Sequence, residues 1–176
     1  MKDIKKKGVV KKVRLASNLQ SDSIVDGDGI RTVIWFQGCK HHCKEWQNPE
    51  TWRFDGGMEV DIDDIKEQMK KLRYQTGITM SGGDPFFQPE AATEIAQFAH
   101  SIGLNVWTYT GFTFEEIMAD NDAKMKLLKN TDILVDGRFE IAKKSLACKF
   151  RGSTNQRIID VKKSLEEGNI VKLYED

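Results

Sequence analysis

The feature that most constrains the fold is a regular alternation of short apolar runs with longer amphipathic segments. Five β-branched or aromatic runs predict strands, and these are 9–15, 32–36, 78–80, 104–109 and 133–135. Between them, apolar residues at three- or four-residue spacing predict helices at 61–74, 89–102 and 113–129, the last in two pieces around Asp120-Asn121. Such alternation predicts βαβ units with right-handed crossovers and a mostly parallel sheet.

Residues suited to chemistry follow the predicted strands directly. Cys39, Gly82, Tyr109 and Asp136 each lie just past, or at, the end of one of these runs. In α/β sheets and barrels, ligands bind at the carboxyl ends of the strands. Each position by itself fits an ordinary turn, but parallel strands would bring all of them to one common mouth. The sequence therefore predicts a single site at this edge of the sheet.

Two of the three cysteines, Cys39 and Cys43, stand four residues apart. Thiolates are soft ligands that favour zinc and iron–sulfur clusters. Two thiols alone complete neither a tetrahedral site nor a cluster, so a metal site and a pair of incidental thiols remain open alternatives. A zinc site that takes a third ligand from His41 or His42 is also open, although adjacent residues of a tight loop converge poorly on one ion.

The stretch SGGDPFFQPE places Gly82, Gly83 and Asp84 after a predicted strand. One interpretation is a strand-to-helix turn that needs a positive φ angle. The other is a backbone that a ligand approaches closely, with Asp84 and exposed peptide groups binding a charged amine or carboxylate. The segments VWTYTGF, DILVDGRFE and FRGSTNQRIID present further polar groups at predicted strand ends or in a loop near them.

Composition excludes several classes. The 176 residues contain 27 Lys+Arg and 27 Asp+Glu, so no global field indicates nucleic acid or a membrane surface. No apolar run approaches the length of a membrane span, and the basic segment 1–14 is followed by no signal-peptide core. An odd number of cysteines fits metal-binding or reactive thiols in a reducing cytoplasm better than a disulfide framework.

The ordered set of motifs resembles the activating enzymes of anaerobic (class III) ribonucleotide reductase, which are S-adenosylmethionine radical enzymes. The resemblance runs from about residue 23 to 171. It rests on SIVDGDGIRTVIWFQGC, HHC, NPETW, SGGDPFFQPE, VWTYTGF, DILVDGRFE and FRGSTNQRIIDVKKSLEEG, in that order. Other glycyl-radical activases share the early motifs and usually lack the last one.

The resemblance implies a 4Fe–4S cluster held by three cysteines in a C-x3-C-x2-C loop, with one iron open to S-adenosylmethionine. It implies reductive cleavage of that cofactor and a glycyl radical generated on the partner ribonucleotide reductase, with electrons from a donor such as flavodoxin or ferredoxin. The implied fold is an incomplete TIM-like barrel of parallel βα units. The whole chain, 1–176, would be one domain, with a tail from about 150 that closes the site or meets the partner.

The family's functional residues carry over position by position. The first two cluster ligands match Cys39 and Cys43. The segment that binds the methionine amino group matches Gly82, Gly83 and Asp84. Contacts to the methionine carboxylate, the ribose or a bound cation would come from Thr108, Asp136 and Arg138.

The main departure from the family pattern is at the third cluster cysteine; smaller ones are Glu45, where the family usually has glycine, and Asp28, where it usually has proline. The third cluster cysteine should follow Cys43 by three residues, where the sequence has Trp46. Tryptophan cannot ligate iron, since its only polar atom is an N–H donor. Substitute ligands in the sequence are Glu45, His41, His42 and, further away, Cys148. Three interpretations stay open: a cluster with a substitute ligand, a variant without cluster chemistry, and a non-catalytic adaptor that binds the reductase, with zinc at Cys39 and Cys43.

Overall fold

A computed structural model describes residues 9–43 and 49–174 as one mixed sheet with helices packed against it. The eight strands of the described residues are β1 Lys12–Leu15, β2 Gln20–Ser23, β3 Arg31–Phe36, β4 Met58–Asp61, β5 Gly77–Gly82, β6 Asn105–Tyr109, β7 Ile133–Asp136 and β8 Arg157–Asp160. The α-helices are α1 Ile62–Lys70, α2 Pro89–Ser101, α3 Phe114–Met118, α4 Asp122–Lys129 and α5 Val161–Glu167. Within the described ranges, none of these helices combines the length and the apolar character that a membrane span requires.

The sheet has the order β4-β1-β3-β5-β6-β7-β8, and β2 pairs with β3 outside this path. Its centre, β3-β5-β6-β7, is parallel, as βαβ units require. The outer strands are antiparallel to their neighbours. The prediction of an α/β fold with parallel strands is therefore confirmed, while the sheet itself stays open instead of closing into a barrel.

Local sequence signals account for the helix boundaries. The predicted break within 113–129 is confirmed, because Thr113 and Glu116 form a capping box at α3 and the Asn121 side chain caps α4. Helix α1 ends at Lys70, four residues before the predicted end at 74. Its apolar stripe, Ile62, Ile65 and Met69, is buried. None of residues 71–74, the part of the predicted helix that does not form, is buried.

Several elements did not emerge from the sequence pattern. Strands β2 and β4 are short and mostly polar or exposed, so alternation gave no signal. Strand β8 and helix α5 occupy part of the segment that the sequence analysis treated as a site-closing tail. In β8 the side chains of Ile158 and Ile159 are fully buried on opposite faces, and Asp160 caps α5 by accepting from the Lys163 N–H.

Alternate residues of the central strands face two different environments. One set, including Met80, Val106 and Leu134, belongs to the main core between the sheet and the helices. The other set, including Trp107 and Val135, packs in a second cluster on the opposite face. Because successive strand residues point to opposite faces, moving one position along a strand exchanges these environments. This alternation decides which strand-end residues reach the site.

Candidate functional site

A cleft lies where the parallel strands β3, β5, β6 and β7 end. Its walls come from the four segments that follow or complete these strands, 39–43, 81–83, 109–111 and 137–139, together with Trp52 and Gln156. The enclosed part is small, about 50 Å³, so any ligand of cofactor size must extend through the open side. The prediction of a common mouth at the carboxyl ends of the strands agrees with this geometry.

The segment 39–43, called the cysteine loop below, contributes the thiols of Cys39 and Cys43 to this cleft. The two thiols form no disulfide. Cys39 is 7% exposed, and its Sγ accepts the His41 N–H at 3.4 Å. Burial, together with the charge of Asp84, raises the pKa of the Cys39 thiol to about 12. Burial also raises the pKa of Cys43, against the opposing effects of the Phe139 N–H and the charge of Arg138. Both thiols therefore keep their protons until a bound cation displaces them.

Asp84 connects three of the segments around the cleft. Its Oδ1 accepts the Phe86 N–H at 2.9 Å. Its Oδ2 accepts from the Thr110 hydroxyl at 2.8 Å and from the Gly111 N–H at 2.9 Å, and it lies 2.9 Å from His41 Nε2. The residue is fully buried, so its carboxylate is engaged within the protein. Asp84 thus links three segments: the cysteine loop, the turn after β6, and the turn after β5 in which Asp84 itself stands.

His41 completes this connection from the cysteine loop. Its side chain is 5% exposed. Its ring packs edge-on against Phe112, at 4.5 Å between centroids, and at a tilted angle against Phe87, at 5.4 Å. A Cβ atom on Gly111 would lie 2.5 Å from the His41 ring, so glycine is needed there for the close approach. The sequence named His41 only as one of several substitute ligands; its contact with Asp84 depends on tertiary structure.

The two glycines of the SGGD turn pack against the end of β3. Gly82 has a φ angle of 101°, and a Cβ atom there would lie 2.5 Å from the Phe36 carbonyl oxygen. A Cβ atom on Gly83 would lie 2.5 Å from the Gly38 carbonyl oxygen. These contacts explain both glycines as a turn that fits closely beside the cysteine loop. Both also line the cleft, so contact of their backbone with a ligand stays a prediction.

Thr108 and Asp136 are not brought to the cleft. Thr108 is fully buried and shares a hydrogen bond with the Thr131 hydroxyl at 3.0 Å. Asp136 accepts the Phe114 N–H at 2.8 Å and binds the Arg157 guanidinium. Both side chains lie on the helix-packed face of the sheet, because strand residues alternate between faces. The neighbours that do line the cleft are Tyr109 and Gly137.

Arg138 lies beside the cleft. The residue is exposed, and its chain neighbours Gly137 and Phe139 both line the cleft. Its positive charge opposes the rise in the pKa of Cys43 that burial causes. Contact between Arg138 and a cofactor stays a prediction. Glu45 and Trp46, the residues of the departure from the family pattern, fall in 44–48 and lie outside the described residues.

A second, larger cavity of about 930 Å³ adjoins the cleft and shares Tyr109 and Phe139 with it. The Tyr109 hydroxyl donates to the Phe150 carbonyl at 2.7 Å, and burial raises the pKa of this phenol. Cys148 lines this second cavity and not the cleft. The sequence indicated Tyr109 as a strand-end position of the predicted site, whereas Phe139 was not assigned, although it stands next to Arg138.

The comparison with protein families matches residues 25–159 to the 4Fe-4S single cluster domain, which places the chain among single-cluster iron–sulfur proteins. The anaerobic ribonucleoside-triphosphate reductase-activating protein of Enterobacteria phage T4 is 33% identical over 76% of this chain and 86% of its own length. The protein of that name from Pasteurella multocida is 31% identical over 77% and 90%. The chain therefore belongs to the family of anaerobic ribonucleoside-triphosphate reductase-activating proteins.

Two further similarities are weaker. A pyruvate formate-lyase-activating enzyme of Clostridium pasteurianum is 32% identical over 65% of this chain and 52% of its own length. Among solved structures, QueE from Escherichia coli aligns with a TM-score of 0.49 and 12% identity, covering 58% of this chain and 53% of QueE. The second similarity is too low to support a statement about fold or function.

The chemistry of the cleft fits an iron–sulfur cluster at two corners. Cys39 and Cys43 present free thiols to one enclosed space, and thiolates are the usual protein ligands of such clusters. The third position of the loop is Trp46, which offers no ligand atom. Cys39 and Cys43 would therefore hold two of the four irons of such a cluster.

Proposed function

We propose that this chain is an activating enzyme that uses a 4Fe–4S cluster and S-adenosylmethionine to generate a glycyl radical on anaerobic ribonucleotide reductase. The observation that carries the proposal is the cleft itself. It brings the Cys39 and Cys43 thiols and the Gly82-Gly83 turn to one edge of the sheet, in a chain that belongs to this family. When bound, the reduced cluster supplies one electron that cleaves S-adenosylmethionine to methionine and a 5′-deoxyadenosyl radical, which takes a hydrogen atom from the partner's glycine.

The residues around the cleft have distinct tasks in this proposal. Cys39 and Cys43 bind iron after losing their thiol protons. The backbone of Gly82 and Gly83 lies within the cleft and would bind the polar end of the methionine moiety, which the small enclosed volume accommodates better than the nucleoside. Asp84 fixes the relative position of these segments through its buried hydrogen bonds. Arg138, exposed beside the cleft, is available to an anionic group such as a carboxylate.

The proposal includes finer structural and cellular assignments. The parallel strands would curve as part of an incomplete TIM-like barrel, with residues 1–176 acting as a single domain in the cytoplasm. The tail from about residue 150 would meet the reductase, and Arg151 and Gly152 already line the cavity beside the cleft. An electron donor such as flavodoxin or ferredoxin would reduce the cluster. Asp136 and Thr108 would contribute to the stability of the fold and not to cofactor binding, since their side chains point away from the cleft.

The test is a reaction with the partner. The protein, reconstituted anaerobically with iron and sulfide, is reduced and mixed with S-adenosylmethionine and anaerobic ribonucleotide reductase. We expect 5′-deoxyadenosine by chromatography and a glycyl radical signal on the reductase by EPR spectroscopy. The matched control is Cys39→Ser, which removes a cluster ligand and should abolish both. Absence of both products from the unaltered, cluster-loaded protein would overturn the proposal.

A second candidate function has a specific observation in its favour. The Cys39 Sγ, a His41 ring nitrogen and an Asp84 oxygen lie within 4.8 Å of one another, a separation that also suits a single metal ion such as zinc. A protein with this site would be a non-catalytic adaptor that binds the reductase. Retention of one zinc per chain without sulfide, together with reductase binding and no 5′-deoxyadenosine, would favour the adaptor over the enzyme.

A further inference from the structure

The loop that binds the cluster lacks one ligand, and the structure restricts where a replacement can come from. A cluster held by only Cys39 and Cys43 would have two irons without protein ligands. Among the described residues, one group of metal-binding side chains has its ligand atoms within 4.8 Å of one another, and it consists of Cys39, His41 and Asp84. Cys39 is already assigned to the cluster, so His41 and Asp84 are the donors next to it.

Asp84 is a poor candidate for iron, because its oxygens are already used. They accept from Phe86, Thr110 and Gly111, all of which hold the backbone around the cleft. Replacing any of these bonds with an iron would leave a buried donor without its acceptor, which carries the full desolvation penalty of that group. Asp84 is therefore better placed to orient a ligand than to act as one.

The His41 ring has one nitrogen engaged and one left over. A carboxylate only accepts hydrogen bonds, so the contact of Asp84 with Nε2 places the ring proton on that nitrogen and leaves the Nδ1 lone pair for a metal. Nδ1 has no hydrogen bond to any residue within 9–43 or 49–174. Histidines that ligate metals usually donate their other ring N–H to a carboxylate in this way. His41 also lines the cleft together with both cysteines.

The other described candidates are placed less well. His42 is exposed with a φ angle of 47°, and its ring packs edge-on against Trp52 at 5.0 Å instead of lining the cleft. Cys148 lines the neighbouring cavity, behind the shared residues Tyr109 and Phe139. Neither belongs to the close group of donors.

We propose that His41 is the third protein ligand of the cluster, bound through Nδ1 and oriented by Asp84. The proposal rests on the function proposed above, since it assumes that a cluster is the group that this cleft holds. Imidazole in place of a thiolate raises the reduction potential of an iron–sulfur centre. The cluster of this chain should therefore be easier to reduce, and a weaker reductant, than one held by three thiolates.

The experiment uses the full chain reconstituted anaerobically, with iron and sulfide counted after a chelator challenge. A pulsed EPR measurement on the reduced protein detects a directly bound nitrogen. The test variant is His41→Gln, whose amide can still donate to Asp84 but cannot ligate iron as imidazole does. His42→Gln, Glu45→Gln and Cys148→Ser are the controls for the alternative ligands.

The unaltered protein should retain about four irons, as in a 4Fe–4S cluster, and show strong coupling to one nitrogen. After the chelator challenge, His41→Gln should retain at most about a tenth of the iron that the unaltered protein retains. The three controls should match the unaltered protein. Adding Trp46→Cys to His41→Gln supplies the missing thiolate, so the double variant should regain the iron without the nitrogen coupling. This recovery separates a ligand from a residue that merely shapes the loop.

Several outcomes overturn the assignment: an unaltered protein without iron or without nitrogen coupling, full iron in His41→Gln, iron loss in a control variant, or failure of Trp46→Cys to restore the iron. Measuring 5′-deoxyadenosine in the same samples keeps the two proposals distinguishable. If the cluster cleaves S-adenosylmethionine but shows no bound nitrogen, the proposed function is supported and the assignment of His41 as a ligand is rejected. If the cluster shows nitrogen coupling that depends on His41 but never cleaves the cofactor, the ligand assignment is supported and the proposed function is rejected.

Discussion

Asp84 and Asp136 are two buried carboxylates at or just beyond the ends of parallel strands, and the protein uses them differently. Asp84 follows β5 and joins the cysteine loop to the turn after β6 at the cleft. Asp136 ends β7 on the other face of the sheet, where it caps the start of α3 and pairs with Arg157 of β8. The family resemblance assigned Asp84 to the segment that binds the methionine amino group, and Asp136 to the methionine carboxylate, the ribose or a bound cation.

The difference shows that position along a strand does not determine function by itself. A carboxylate at a strand end reaches the mouth or the helices according to the face on which it stands. Asp136 then contributes to stability by satisfying a helix terminus and a cation. Asp84 contributes to the site by fixing the separation of the segments that would bind the cofactor.

The largest change is expected from Asp136→Ala. The substitution leaves the Phe114 N–H without its acceptor and deprives Arg157 of its buried partner. Breaking a fully buried pair costs about 3 to 5 kcal/mol, and since Arg157 keeps Glu115 we expect a loss of about 2 to 3 kcal/mol. Urea unfolding measures it. The number of irons per folded chain should not change, and a selective loss of iron would contradict the role assigned to Asp136.

Asp84→Asn should have the opposite profile. The amide retains the shape but replaces one acceptor oxygen with a donor, which conflicts with the N–H and O–H groups that Asp84 now accepts from. Losing an orienting partner typically lowers metal affinity 10- to 100-fold, which is about 1.4 to 2.7 kcal/mol. A chelator titration of the reconstituted protein measures this, with Asp136→Asn as the matched control. Equal iron loss in both variants would remove the distinction between the two carboxylates.

A smaller and more closely matched contrast uses two threonines of one segment. Thr110→Val removes the hydroxyl that donates to Asp84, whereas Thr108→Val removes the hydroxyl that bonds Thr131 on the helix face. Each should cost about 1 kcal/mol in the free energy of unfolding. Only Thr110→Val should also weaken iron retention in the chelator titration. If Thr108→Val weakens iron retention as much as Thr110→Val does, the face of the strand on which a residue lies does not determine its role in metal binding.

The smallest effect concerns acid stability on the Asp136 side. Hydrogen bonding to Arg157 lowers the pKa of Glu115 from 4.5 to about 2. A lowered pKa in the folded state stabilises the protein above pH 4.5, and this contribution is lost as the pH falls toward 2. Because Glu115 is largely exposed, the contribution should be below about 1 kcal/mol. Glu115→Gln should reduce the slope of stability against pH in this window, as urea unfolding at several pH values would show.

Much of the fold was predictable because its central part follows simple periodicity. The runs that became β3, β5, β6 and β7, and the helices between them, carry apolar residues at the spacing of their secondary structure. The break between α3 and α4 was also visible in Asp120-Asn121. Strands β2, β4 and β8 were not, since each has only four residues, and β2 and β4 are mostly polar or exposed.

The site was predictable in its location and less so in its contacts. The strand ends identified the edge, and Cys39, Cys43, Gly82 and Gly83 line the cleft there. The hydrogen bonds of Asp84 to His41 and Thr110 join residues 26 to 43 positions apart, and no local pattern indicates them. Tyr109, a predicted strand end, lines the cleft, whereas Thr108, which the resemblance gave a cofactor contact, does not, because the sequence does not reveal which face of β6 turns toward the cleft.

The most direct test of the account is an EPR measurement on the reconstituted, reduced protein before and after S-adenosylmethionine is added. The cleft should hold a cluster with one iron open to that cofactor, so we predict a cluster signal whose g-values shift on its addition. A cluster signal that does not respond to S-adenosylmethionine, or the failure of any cluster to form, would contradict the central claim that this cleft is a radical-generating site.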